Sequence, residues 1–567
     1  MLAHALANAS DIERTRGFAV KRGSSFVNEY GRRDELTEEL TNGGTSNPNH
    51  LYGAFPTLFP YGEGGFEVPR PRKVPYETHT RWALEYQDKR FRKDLHFIFQ
   101  VFGVIQKRKV CSPAKLQIDK AQYRRHEMAI RRLKPLDLLK AAEEEKRKAP
   151  ITNPAVRSLR ELVSSLRTKV PGTDESRTGM RSQIWGLTTM KNAPSIWLTI
   201  NPSDTNDPIA QVLAGEDINL REFIQTAGPN PTQRAQNVAS DPFAAAKFFH
   251  YIISIVLEEL LGIKVHKDRG KIARERGILG IIEAYIGAVE AQGRGTLHLH
   301  MLLWLTGAPT PSETKRLLHT EAFRKHVAKY LSTTIKASLD DQDAETLPKR
   351  RKIKECVSYS RPINPADDEY ERKARDAERD IATSVQVHEC REYACLYLNK
   401  GQWVCKRRAP FELSNNDYID KDGKWGVKRL YPYFNTWNPG ILQCVRANHD
   451  IKLITNGGDT KDITWYITNY ATKKQRHSFN TSALLAKRLA YHNIEERGNQ
   501  DVTSVNNKFL SRCTNSLTRE QEFSGPEVVS YLMGWGDRFI SHHFVPIYWN
   551  GVLYALKKKF PFLRKKR

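Results

Sequence analysis

Hydrophobic and polar positions alternate most clearly over residues 281–305, IIEAYIGAVEAQGRGTLHLHMLLWL. Two apolar runs flank Gly293-Arg294-Gly295, turn chemistry that predicts a hairpin of antiparallel strands. Side chains two apart on a strand share a face, so His298 and His300 point the same way. A three-residue loop over 293–295 sets Gln292 opposite Thr296 and Glu290 opposite His298. Two imidazoles and one or two side-chain oxygens then surround a single point, a donor set that suits a divalent metal. A loop of two or four residues would turn Glu290 to the other face. Leu297, Leu299, Leu302, Leu303 and Trp304 anchor the hairpin in a core.

Elsewhere the pattern changes period. Residues 77–110 have helical spacing, with apolar positions at Trp82, Leu84, Phe91, Phe97, Ile98, Val101 and Phe102. The mixed-charge stretch 121–148 is helix-prone, and its Arg124, Arg125, Arg131, Arg132 and Lys134 read as a solvated helix face. The run SIWLTI at 195–200 predicts a strand beside the hairpin. Asp241-Pro242 is an N-cap with proline at the first helical position, opening a helix that is apolar nearly all round and stops at Gly262. A further helix is predicted near 312–331, and 441–458 looks strand-like. Strand, long helix, hairpin and helix describe an α+β fold, an antiparallel sheet with helices on its faces.

Four regions follow. Residues 1–75 are a Gly/Asn/Pro-rich extension whose Phe55, Phe59, Tyr61 and Phe66 wrap over a neighbour. Residues 76–335 hold the hairpin, 336–440 a charged linker and a Cys/His segment, and 441–567 a tyrosine pair and a basic C-terminal region.

The formal net charge of +26 is the strongest compositional fact, and it calls for a polyanionic partner, nucleic acid before any other. No apolar run approaches the roughly 20 residues that cross a bilayer, so no membrane partner is expected. The N-terminal stretch lacks a signal peptide's apolar core, which points to a cytosolic or nuclear protein.

Seven cysteines in 567 residues do not make a disulfide scaffold. His388, Cys390, Cys395 and Cys405 fall within 18 residues, and four soft ligands so close suit tetrahedral Zn²⁺, although the spacing is not a C-x-x-C knuckle. Cys111, Cys356, Cys444 and Cys513 are isolated and read as core residues.

In DTKDITWYITNYATKKQ, Asp459 or Asp462 caps a short helix that carries Tyr466 and Tyr470 on one face, with Lys473 and Lys474 a turn later. Such a pair ordinarily packs into a core. A two-histidine metal site, two phenols and a strongly basic chain together fit transesterification of single-stranded DNA. In that reaction a tyrosine attacks phosphorus, leaving a 5′-phosphotyrosine and a free 3′-OH. Two tyrosines allow two strands to be held at once.

With those residues in view, EAQGRGTLHLHMLLW resembles the HUH motif of rolling-circle replication initiators, and YITNYATKKQ resembles the two-tyrosine motif of Helitron transposases. FPTLFPYGEGGF, RWALEYQDKRFRK, residues 240–305, the Cys/His segment and EFSGPEVVSYLMG are also similar to the N-terminal half of Helitron Rep–helicase proteins. The resemblance implies an HUH-type sheet and a nuclear, transposable-element endonuclease. Its metal ligands would be His298 and His300, and its nucleophiles Tyr466 and Tyr470, with Lys473 beside them. The third ligand would be Gln292 or Glu290, Gln292 being nearer the turn. The ion would be Mg²⁺ or Mn²⁺, with a structural Zn²⁺ at the Cys/His segment, where Cys390 stands at a position often held by histidine.

Helitron proteins continue into a helicase, whereas this sequence has no G-x-x-x-x-G-K-[ST]. The expectation is a truncated element or fragment without ATPase activity, acting on single-stranded DNA at transposon ends, with a full-length Helitron protein as a possible helicase partner. The rival is a catalytically silent DNA-binding remnant. A zinc hydrolase is disfavoured, since no H-E-x-x-H is present.

Overall fold

The computed structural model describes residues 50–563, except 62, 67–69, 112–127, 129, 221–227, 267–270, 293–294, 340–362, 393–394, 456–467, 469–478, 496–501 and 546–548. At its centre is an antiparallel sheet. Its strands are β1 (Ile196–Ile200), β2 (Arg276–Gly277), β3 (Gly280–Ala291), β4 (Leu297–Leu305), β5 (His449–Leu453) and β6 (Arg538–Ile540). The strand order is β5-β1-β4-β3-β6, with β2 pairing β3 besides.

The β3–β4 register is the three-residue-loop register. Glu290 pairs with His298 and Ala288 with His300. The Gln292 N–H donates to Thr296 O at 2.8 Å, and the Gly295 N–H to Gln292 O at 2.7 Å. Gly295 has φ +83°, a conformation that side-chain-bearing residues resist. The strand expected at 195–200 is β1, and it does lie beside the hairpin, with Thr199 opposite His300.

Alternation gives the sheet two apolar faces. On one, Ile196, Leu198, Leu299, Met301, Leu303 and Ile451 meet α1 (Leu95–Cys111), α3 (Pro242–Ile255) and α5 (Gly525–Leu532). On the other, Ala284, Ile286, Ala288, Leu302 and Trp304 meet Met180, Ile184 and Leu187 of α2 (Asp174–Lys191). Trp304 is fully buried and donates its indole N–H to Asn192 O at 2.8 Å. The histidines lie on this second face, in line with Leu302 and Trp304.

The start of α3 follows the sequence. The Asp241 carboxylate accepts from the Ala244 N–H at 3.0 Å, and Pro242 occupies the first turn. The helix widens into a π turn over Val256–Leu260 before Gly262 at φ +68°. An added Cβ at Gly262 would lie 2.6 Å from Glu275 O. Phe55, Phe59 and Phe66 of the N-terminal region are buried in the first core, whereas Tyr61 is exposed.

Three expectations need correction. Residues 77–110 form three helices, Tyr76–Leu84, Arg90–Lys93 and α1. Lys89 at φ +64° and the extended Asp94 interrupt the run, and Asp94 recaps the chain through the Phe97 N–H. The helix near 312–331 is two, Pro311–Leu317 and Glu321–Thr334. Residues 441–458 begin as a helix, α4 (Pro439–Val445), because Asn438 caps the Ile441 N–H and Pro439 sits at N1; among the described residues of the range, His449–Leu453 is strand. Between 336 and 385, the chain forms a helix over Tyr370–Val385, whose Ile381 and Ala382 pack on Phe434, Trp437 and Leu442. Arg131, Arg132 and Lys134 are exposed, while Arg124 and Arg125 lie outside the described residues. No helix among the described residues is long and apolar enough to cross a membrane.

Candidate metal centres

Pairing and pleat bring Glu290, His298 and His300 to one spot on the α2 face. The two Nε2 atoms are 2.8 Å apart, and Glu290 Oε2 lies 3.7 Å from one and 3.8 Å from the other. Metal–donor bonds to N and O are about 2.1 Å, so two donors on one ion lie at most about 4.2 Å apart. Every side of this triangle is shorter than that. One ion can therefore touch all three atoms without moving the backbone.

The surroundings fix the His300 ring. His300 Nδ1 is 3.1 Å from Thr199 Oγ1, and the ring stacks on Trp197 at 5.3 Å. The tautomer donating Nδ1–H to Thr199 leaves the Nε2 lone pair free to face the cluster. Burial lowers the His298 pKa to about 4 and that of His300 to about 3. Both imidazoles are thus neutral at physiological pH, the form that ligates a metal. Arg177, buried on α2, donates to Val289 O at 2.8 Å and so braces the strand end that presents Glu290.

Gln292 is exposed at the turn, two residue pairs beyond Glu290. Glu290 Oε2 lies beside the imidazoles, and Gln292 shares its strand face. Tyr466, Tyr470 and Lys473 lie outside the described residues.

His388, Cys390, Cys395 and Cys405 form the second group. A ribbon of Leu396–Asn399 and Gln402–Cys405 pairs Leu396 with Cys405 and so draws Cys395 alongside. Its two turn residues, Lys400 and Gly401, have φ of 48° and 80°, as a tight two-residue hairpin demands. His388, held by its N–H on Tyr433 O at 2.7 Å, reaches in from the other side. Its Nε2 lies 3.2 Å from Cys405 Sγ, 3.4 Å from Cys390 Sγ and 3.6 Å from Cys395 Sγ. Tetrahedral zinc with bonds of about 2.1 and 2.3 Å places N and S about 3.6 Å apart.

Backbone N–H groups of Arg391 and Arg407 donate to the Cys395 and Cys405 sulfurs, each at 3.3 Å. Burial and the neighbouring Cys405 and Cys395 sulfurs push the Cys390 thiol up to about 12. Burial opposes ionisation of Cys405 too, but N–H groups of Ala409 and Arg407 hold its pKa below the usual value. Burial and then Arg407 depress His388. Arg407 also depresses His298 and His300, so one cation bears on the imidazoles of both groups.

Of the residues that help build these groups, Thr199, Trp197, Arg177 and Arg407 were not singled out from the sequence. Thr199 was legible in principle, because alternation in SIWLTI puts it on the face of Trp197. Arg177 was not, because its helix reaches the hairpin only through tertiary packing.

The fold and these groups define a helix-flanked antiparallel sheet carrying two candidate metal-binding groups. Residues 79–303, the stretch that contains β1, α3 and the histidine hairpin, match the Helitron helicase-like domain at N-terminus. That stretch is thus similar to a Helitron N-terminal domain, and the match suggests a transposon-related function. No curated protein matches the chain.

Proposed function

We propose that the chain is a Helitron-like rolling-circle transposase endonuclease of the HUH type. It would nick and join single-stranded DNA at transposon ends through a 5′-phosphotyrosine. The observation that carries the reading is the Glu290–His298–His300 triangle on adjacent strands of an antiparallel sheet, within the region that matches the Helitron domain.

His298 and His300, with Glu290 and Gln292 as the oxygen donors at hand, would hold Mg²⁺ or Mn²⁺. A bound divalent ion would draw negative charge from the scissile phosphate. Tyr466 or Tyr470 then supplies the nucleophile. Its Oη forms the new bond to phosphorus, the P–O3′ bond breaks, and the phenolic proton passes to the departing 3′-oxygen. A 3′-OH attacking the phosphotyrosine reverses the step and joins strands. A phenol with pKa of about 10 is ionised only to about 0.1% at pH 7, and the cation of Lys473 lowers the cost of the phenolate. Zn²⁺ would be the ion of the His388–Cys405 group, given three sulfurs and one nitrogen. A nuclear setting and a full-length Helitron protein supplying helicase activity complete the proposal.

The test is incubation with end-labelled single-stranded DNA and Mn²⁺ or Mg²⁺. A covalent protein–DNA adduct is expected, abolished in Tyr466→Phe/Tyr470→Phe and in His298→Ala/His300→Ala. Binding without an adduct under either ion would overturn the endonuclease and leave a silent DNA-binding remnant.

A further inference from the structure

On the layer packed against the sheet face opposite the histidines, a row of rings runs outward from the core. Phe66, fully buried, stacks on His79 at 4.1 Å and 11°. His79 meets Trp82 edge-on at 5.4 Å, and Trp82 meets Tyr86 at 5.1 Å. The Arg90 guanidinium lies 5.6 Å from the Tyr86 ring centre and donates to Leu58 O. His79 and Trp82, three apart, lie on one side of the helix Tyr76–Leu84, and the turn after it brings Tyr86, then Arg90 at the start of the next helix, to the end of the row.

The outer members are not used by the core. Trp82 is 52% exposed, Tyr86 37% and the nearby Tyr61 89%. Single exposed aromatics are ordinary, but a contiguous row ending on a cation is a different feature. The stretch of chain that carries the row is also strongly basic. Residues 70–110 hold eleven Lys or Arg against four Asp or Glu. Setting aside Arg90 with Asp88, Lys109 with Glu77, and Arg92, which is spent on buried Asp241, still leaves eight against two.

We propose that the Trp82–Tyr86–Arg90 row is a stacking platform for the unpaired bases of single-stranded DNA, separate from the metal centre. Flat rings accept any base, and the cations around them track the phosphates. Charge selects a polyanion over an apolar protein partner, and the exposed ring faces select unpaired bases over a duplex, whose bases are already stacked. The platform does not depend on the tyrosine chemistry and would serve an active or a silent chain alike.

The experiment is fluorescence anisotropy of the full chain with a labelled oligothymidine, beside a duplex of equal length and heparin as a purely ionic probe. Trp82→Ala/Tyr86→Ala should weaken oligothymidine binding about tenfold or more, since loss of one aromatic–base stack is worth about 1–3 kcal/mol. Trp82→Phe/Tyr86→Phe should retain most of it, and heparin binding should not change. Photocrosslinking of bromodeoxyuridine DNA to the unaltered protein needs no substitution and should label the peptide containing Trp82 and Tyr86. His298→Ala/His300→Ala should keep this binding while losing any cleavage, so the platform and the endonuclease fail separately. Binding by the alanine variant within twofold of the parent, an equal loss for heparin, or crosslinks confined to other peptides would each overturn the platform.

Discussion

At the scale of single residues, the hairpin site works through burial. Both histidines are kept neutral by desolvation, so in the folded chain His298 resists protonation until about pH 4 and His300 until about pH 3, whereas the unfolded chain takes up those protons near 6.5. The unfolded state then binds more protons across that window, and stability falls as pH drops from about 6.5 to about 4. Thermal melting of the metal-free protein should show that fall. His298→Asn/His300→Asn should flatten part of it, the rest coming from other buried imidazoles such as His449, which burial also holds at about 4. A melting temperature flat over that range would contradict the burial account. Thr199 offers a subtler check. Thr199→Val keeps the shape but removes the partner of His300 Nδ1, and should weaken Mn²⁺ binding by calorimetry about 10–100-fold, the usual cost of losing such a support. Unchanged affinity would mean that Trp197 alone orients the ring.

At the scale of elements, two local devices set the site. The first is the turn whose Gly295 sits at φ +83°. Gly295→Ala should cost about 1 kcal/mol from the left-handed conformation and weaken metal binding with it, if the turn is what holds Glu290 opposite His298. Urea unfolding and calorimetry on one preparation read both. The second is the start of α3, where Asp241 caps the helix and pairs with buried Arg92 at 2.8 Å. Asn also caps helices, so Asp241→Asn isolates the ion pair. The expected loss is about 3 kcal/mol in urea unfolding, at the low end for a broken buried pair, because burial already raises the Asp241 pKa despite Arg92. A loss below about 1 kcal/mol would show that Arg92 finds other support, such as the carbonyl of Leu213, which it reaches at 2.9 Å.

At the scale of the whole molecule, the two candidate ligand groups share the influence of Arg407. Removing a thiolate-bound ion should loosen the ribbon that carries Cys395 and Cys405 before the central sheet. Hydrogen exchange after treatment with a strong zinc chelator should speed over Leu396–Cys405 and leave β3 and β4 protected. Equal protection with and without chelator would argue against a bound ion there. Since Arg407 bears on both groups, the same treatment should also alter Mn²⁺ affinity at the hairpin.

Short-range periodicity and capping were legible in the chain alone. The β3–β4 hairpin, its register, the shared face of Glu290, His298 and His300, the Asp241-Pro242 helix start and the Cys/His ligand set all follow from neighbours within about twenty residues, where strand pleat and turn length leave few alternatives. Tertiary structure decided what adds to them from far away. It set the Glu290 carboxylate beside the imidazoles, laid Thr199 under His300 and braced Val289 with Arg177. It also brought Arg407 within electrostatic reach of imidazoles more than a hundred residues distant. Those choices depend on which strands and helices become neighbours, and that is set by burying the two sheet faces together, which no local pattern records.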